Sequence, residues 1–320
     1  MAGPVFFKET TNTRSEMTAL YDFVWPTAVA MWNLRWQVHG YLSIRPNASI
    51  DELHGRFSVG SEIHGGNLIR ACSTHSWENQ QEVFAKILLI NICALYESWL
   101  SSVLDQLGGH AHDELKCLQF PTKYDSKSAP ADGVWASIAK ICRSPSTFTS
   151  TCFYPVLLKN PKNSKTQLDA LLKCYRFFKE CRNDVAHNGS KASARTAKAF
   201  VEFQPVANTN DLGVLEVPLH KPLTLGQPVN LNLRGVVGLS DIVLRIITTL
   251  DAELACSQSA EKVFITRWQA THDKTKFTLP VKDVRKRQSR AVSLIKKTGL
   301  PEPVVATKAI AFLQAHSLVI

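Results

Sequence analysis

The segment VFAKILLINICALYESWLSSVL, Val83 to Leu104, leaves few options to any fold that contains it. At helical period it is apolar nearly all round, so it belongs either at the centre of a bundle or in a membrane. Lys86, Asn91 and Glu97 interrupt it, and two charges with an amide in one span argue for a buried helix over Glu82 to Leu104. Within that helix Glu97 sits among Ala94, Leu95, Tyr96, Trp99 and Leu100, where a lone carboxylate is costly.

The second strong helical pattern runs from Gln167 to His187. Leu168, Leu171, Tyr175 and Phe178 mark one stripe, and position 182, which continues it, is Arg. A core-facing Arg needs a partner or a cavity. Lys173, Lys179 and Glu180 fall on the opposite, solvent-directed face. Antiparallel packing of the two helices would set Glu97 against Arg182, a pair that fixes their register. His187 lies five positions beyond, about 140° round the helix. It meets Arg182 only if the helix loosens at Asn188-Gly189. A His at a helix C-terminus is also a favourable cap charge.

The segment Arg182-Asn183-Asp184-Val185-Ala186-His187 resembles the R-x4–6-H motif of HEPN domains, with Asn183 as the polar residue that often follows the Arg. ILLINICALYESWLSSVL resembles the core helix of that family, with Glu97 where an acidic residue is common. The similar region spans about residues 81 to 256. The resemblance implies an all-α bundle that dimerises and cleaves RNA without a metal. In it His187 is the acid-base group for attack of the ribose 2′-hydroxyl on the adjacent phosphate. Arg182 holds that phosphate, Asn183 orients it and Glu97 positions Arg182. Many HEPN members act in toxin–antitoxin and phage-defence systems, which brings in an antitoxin or regulatory protein as partner. Others are non-catalytic scaffolds that bind a partner protein or a nucleotide.

The chain of 320 residues is long enough for two domains, or for one core with additions, and 45% hydrophobic against 20% charged residues excludes global disorder. A net charge of +10 favours polyanionic partners, nucleic acid before an anionic membrane. MAGPVFFKETTN has neither the basic nor the apolar region of a secretory signal. The eight Cys include no C-x-x-C pair, and several occupy apolar helical positions, as in a reducing cytoplasm. His110, His112, Asp113 and Cys117 have metal-ligand side chains but nothing nearby completes a site, so no metal and no cofactor are expected. Ser58 to Asn67 is Gly-rich but lacks the Lys of a phosphate loop.

The expected architecture is mainly α: an N-terminal helical region over 1–80, an HEPN-like helical domain over 81–260 and a basic helical tail over 261–320. In the first region Trp25, Val29, Trp32 and Trp36 share one helical face, read as a packed core face ahead of a base-stacking platform, with Pro26 in its first turn. Asn47 to Gly66 reads as loop. An insertion over 108–165 reads as irregular, with one short helix at Gly133–Cys142. AFVEFQPV, GVLEVPLH and PVNLNLRG alternate apolar and polar residues and predict a small sheet within 199–233. Ser240 is the expected N-cap of the next helix. The tail carries Lys282, Arg285, Lys286, Arg287, Arg290, Lys296 and Lys297 on one helical pattern, with Val284, Ala291 and Ile295 inward. It reads as a non-specific RNA-backbone contact or as a solvated basic helix. The next pattern holds one Lys, which disfavours DNA reading by a helix-turn-helix.

Overall fold

The computed structural model describes residues 3–109, 112–121 and 133–320. Fourteen α-helices follow one another among them: α1 (Lys8–Ile44), α2 (Ile50–Phe57), α3 (Trp77–Gln106), α4 (His112–Cys117), α5 (Val134–Ile141), α6 (Thr147–Cys152), α7 (Tyr154–Leu157), α8 (Leu168–His187), α9 (Ala194–Phe203), α10 (Thr209–Leu212), α11 (Leu233–Leu254), α12 (Ser259–Thr271), α13 (Val284–Lys297) and α14 (Ala306–Ala315). A single π-helical turn, Arg70–Thr74, precedes α3. The chain is thus mainly helical, and no strand is present among the described residues.

The apolar segment forms α3, capped by the Ser76 hydroxyl, which accepts from the Asn79 amide at 3.1 Å. It packs against α1, α8 and α11. It is the one helix among the described residues long and apolar enough to cross a membrane, and half of its most apolar window is buried in the bundle. Tyr96 and Trp99 of α3 are fully buried, and the Tyr96 ring meets Tyr175 of α8 edge-on at 4.8 Å. The helices of the tail belong to the same apolar core, where Phe148 of α6 stacks on Phe312 of α14 at 3.7 Å.

The start of α1 has no capping side chain of its own. Its cap comes from α11: the buried Asp251 carboxylate accepts from the Phe6 amide at 2.7 Å, the Phe7 amide at 3.0 Å and the Thr10 hydroxyl at 2.6 Å. Trp99 Nε1 donates to the same Thr10 hydroxyl at 2.9 Å, which ties α3 into the junction. Carbonyls of the leading segment are satisfied by side chains too. Arg14 donates to Gly3 O, Asn160 to Pro4 O and Arg267 to Phe6 O.

The structure departs from sequence expectation at several places. Residues 199–233 hold no sheet: 199–203 complete α9, and 214–232 run irregularly over the bundle. Their alternation is real but reports one-sided burial. Val214, Leu223, Val229 and Leu231 are buried against the core, and the pairing beside them is one isolated antiparallel bridge, Lys191 with Pro228. The crossing is close enough that a Cβ on Gly235 of α11 would lie 1.9 Å from Leu219 O. α11 accordingly begins at Leu233, with the Asn232 side chain accepting from Arg234 and Gly235 amides, and not at Ser240. Ser240 is buried in mid-helix, its hydroxyl paired with Tyr21.

The Trp face of α1 is not core: Trp25, Val29, Trp32 and Trp36 are all exposed, and Pro26 lies well inside the long helix. Residues 47–66 contain α2, capped by Ser49, where loop was expected. The short helix expected at 133–142 is present as α5, joined in the insertion by α4, α6 and α7.

Burial raises the Asp251 carboxyl to about 6, against the bonds from Thr10, Phe6 and Phe7, which favour the charged form. Its proton is therefore held more tightly in the fold than in the unfolded chain. The stability this confers is complete below about pH 4 and is lost as pH rises through about 6. Asp251→Ala, which orphans two amides and a hydroxyl, is expected to cost about 3 kcal/mol or more in urea titrations. Asp251→Asn should flatten the stability-pH curve between pH 4 and 6; an unchanged slope would refute the assignment.

Candidate functional site

α8 supplies the residues of the R-x4-H segment, and its own packing decides where each points. Leu168, Leu171, Tyr175 and Phe178 are buried as the stripe requires, and so are Leu172, Cys174, Phe177 and Cys181, because α9 covers a second side. Arg182 lies at the α3–α8 seam. Its Nη2 donates to Glu97 Oε1 at 2.5 Å, and Lys179 Nζ stands 3.0 Å from the same oxygen. The Glu97–Arg182 contact expected from the two helical patterns is thus present, with side-chain exposures of 32% and 19%. Burial alone would lower the Arg182 pKa; Glu97, Cys93 and Tyr175 outweigh it and leave the guanidinium firmly charged.

The face expected to meet solvent is instead polar and covered. Glu180 is buried and pairs with buried Arg176 at 3.2 Å, and the Arg176 guanidinium lies 4.3 Å over the Phe120 ring. Lys179 also reaches Gln119 and Phe120, so it too turns back to the protein. Asn183 donates to Glu180 Oε2 at 3.2 Å. The buried Asp184 carboxylate accepts from the Ser193 amide at 2.9 Å and from the Thr196 hydroxyl, and so orients the first turn of α9. Sequence reading missed Arg176, Glu180 and Asp184. The i,i+4 spacing of Arg176 and Glu180 was the available signal.

α8 ends as Gly189 and Ser190 both turn to positive φ, with Asn188 and Ser190 amides donating to Asp184 O. His187 is exposed there. It borders a shallow depression of about 620 Å³ together with Asn183, Asn188, Ser193 and Arg195. Arg182 is not among the lining residues. The structure therefore brings His187 and Asn183 together on one face and Arg182 with Glu97 on the neighbouring one. The helix does not loosen enough to merge them within one chain.

The basic tail helix is α13, its start capped by the Asp283 carboxylate. Ala291 and Ile295 are buried as expected, while Val284 is exposed. Arg285, Lys286, Arg290, Lys296 and Lys297 are exposed along α13, and Lys282 just before it. Arg287 differs: its guanidinium donates to Pro280 O at 2.9 Å and Val281 O at 2.7 Å, so it holds the preceding turn. Arg285, Lys296 and Lys297 border an open depression of about 710 Å³, with Ser289 and Ser293 between them.

Among the described residues no three His, Cys, Asp or Glu side chains stand together as a metal site. His110 and the side chains of His112 and Asp113 lie outside the described residues. All eight Cys are free thiols, and burial pushes Cys93 up to about 11. Comparison with known proteins finds no matching family model, no matching curated protein and no matching solved structure.

Glu97 serves two cations, so its loss leaves Arg182 and Lys179 facing each other. Glu97→Ala should therefore destabilise more than Arg182→Ala. A double-mutant cycle in urea should give a coupling of about 1 kcal/mol, small because both side chains are partly solvated. Strict additivity would remove the pair from the fold's support.

Proposed function

We propose that the chain is an HEPN-type endoribonuclease that cuts RNA by 2′-hydroxyl attack without a metal. One observation supports the reading. At the open end of α8 the charged Arg182, held by Glu97, and the exposed His187 flank Asn183 on adjoining faces. On this reading a phosphodiester lies over Asn183 between the two side chains. His187 takes the proton from the ribose 2′-hydroxyl, whose oxygen attacks phosphorus. The P–O5′ bond breaks, the 5′-oxygen takes a proton from solvent, and a 2′,3′-cyclic phosphate remains. Arg182 offsets the charge that grows on the phosphate oxygens.

The exposed cations of α13 recruit the RNA backbone ahead of this step. The reading places the protein in the cytoplasm as a homodimer, in a toxin or phage-defence setting, under the control of an antitoxin or regulatory protein.

A second reading has its own observation: the depression beside His187 excludes Arg182. On it the chain is a non-catalytic HEPN-like scaffold, Arg182–Glu97 is a register pair and His187 is a cap charge.

Incubation of the full chain with total RNA in excess EDTA separates the two. Cleavage that leaves 2′,3′-cyclic phosphate ends, lost in His187→Ala with unchanged thermal unfolding, is expected. Equal cleavage by parent and variant, or a requirement for divalent metal, would refute the mechanism.

For recruitment, Arg285→Ala, Arg290→Ala and Lys296→Ala should each weaken RNA binding about equally across sequences. Each should reduce the slope of log K against log salt by about one. Arg287→Ala should instead lower stability and leave that slope nearly intact.

A further inference from the structure

Two neighbouring helices each expose an uncharged stripe that the ribonuclease reading does not use. On α1 it is Trp25, Val29, Trp32 and Trp36, and on α3 it is Val83, Ile87 and Ile90. These side chains are each between 39% and 61% exposed, an unusual state for large apolar groups at regular helical spacing. The spacings of four, three and four on α1, and four and three on α3, put each set on one face. Trp32 ties the α1 set to the start of α3, its ring 5.1 Å from that of Trp77 in the first turn of α3 and 5.6 Å from that of Trp36.

Charge decides what such a face accepts. The whole chain carries +10, yet residues 23–94 contain five basic and five acidic side chains, so the excess lies elsewhere. Two of the charges beside the stripe are engaged, Lys86 with Glu82 at 2.7 Å and Arg35 with His75 O at 2.7 Å, while Asp22, three positions before Trp25, is an exposed acid. A face without cations offers no contact to nucleic-acid phosphates or to anionic lipid headgroups, both of which would select the basic regions. It fits a surface that is itself neutral and apolar.

The area fits as well. From the fractional exposures the stripe presents roughly 700 Å² per copy, close to the ~800 Å² per partner of a stable interface. A two-fold interface brings identical patches together, and a patch without net charge pays no repulsion for doing so. Its three Trp match the composition of interface hot spots.

We propose that the α1–α3 face is the self-association surface of this protein, occupied by the same face of a second copy. The proposal gives a surface to the dimer that the ribonuclease reading carries, and its test reads mass, not cleavage, so the two can fail separately.

Light scattering on the full chain across a micromolar dilution series is expected to give twice the chain mass of 35.6 kDa. Trp36→Glu on α1 and Ile87→Glu on α3, both at exposed positions, should each weaken association at least about thirtyfold. Their circular dichroism and thermal unfolding should not change. Phe23→Glu is the control: Phe23 is exposed about 160° round α1 from the stripe, and its variant should stay dimeric. A chain that remains monomeric throughout the series overturns the proposal, as does a dimer that survives both substitutions. Flotation with neutral or anionic vesicles that is abolished by the same two variants would assign the face to a membrane and overturn it equally.

Discussion

Asp251 is the residue on which the arrangement of the bundle turns. A buried carboxylate is unfavourable in itself, and burial shows in its raised pKa. It is kept because three donors converge on it, and those donors fix the first turn of α1 against the last turns of α11. Through the Thr10 hydroxyl the same point receives Trp99 of α3. One anion thus sets the positions of three of the helices that enclose the core. The cations around it work in the same sense. Arg14 and Arg267 both lie under burial that lowers their pKa, and both spend donors on carbonyls of the leading segment. The short irregular segment Gly3–Phe7 can lie against the bundle there because the Phe6 and Phe7 amides and the Gly3, Pro4 and Phe6 carbonyls each have a side-chain partner.

At the end of α8 three consecutive residues are directed to three different neighbours. Arg182 goes to α3, Asn183 to Glu180 on its own helix, and Asp184 to the start of α9. Consecutive helical residues are 100° apart, so this triplet is how one helix addresses a helix on either side while keeping an open edge between them. His187 stands on that edge. The site is small because the chemistry proposed for it needs little beyond a placed phosphate and a proton acceptor.

Much of the helical framework was legible from periodicity. α3, α8, α13 and α14 follow their apolar patterns, and the Glu97–Arg182 pair follows from two misfit charges on two apolar helices. The failures share a physical origin, since pattern reports where side chains sit and not what covers them. The Trp stripe on α1 has the spacing of a core face but lies outside the core. The residues 214–232 alternate like a strand, yet the surface they rest on is a helix, opened for them by Gly235. Glu180 looked solvated, yet Arg176 pairs with it and Phe120 lies against Arg176, and no local rule announces a cover that comes from another part of the chain.

The Asp251 junction also carries a temporal consequence. Phe6 and Asp251 are 245 positions apart, and α1 has no cap of its own to hold its start meanwhile. At ordinary synthesis rates the ribosome needs roughly 10 to 50 seconds to travel from one to the other. During that interval α1 and the apolar α3 have left the exit tunnel without the helix that closes over them. Closure of the core therefore waits for the emergence of α11, and until then the most apolar helix of the protein has α1 and, later, α8 to cover it.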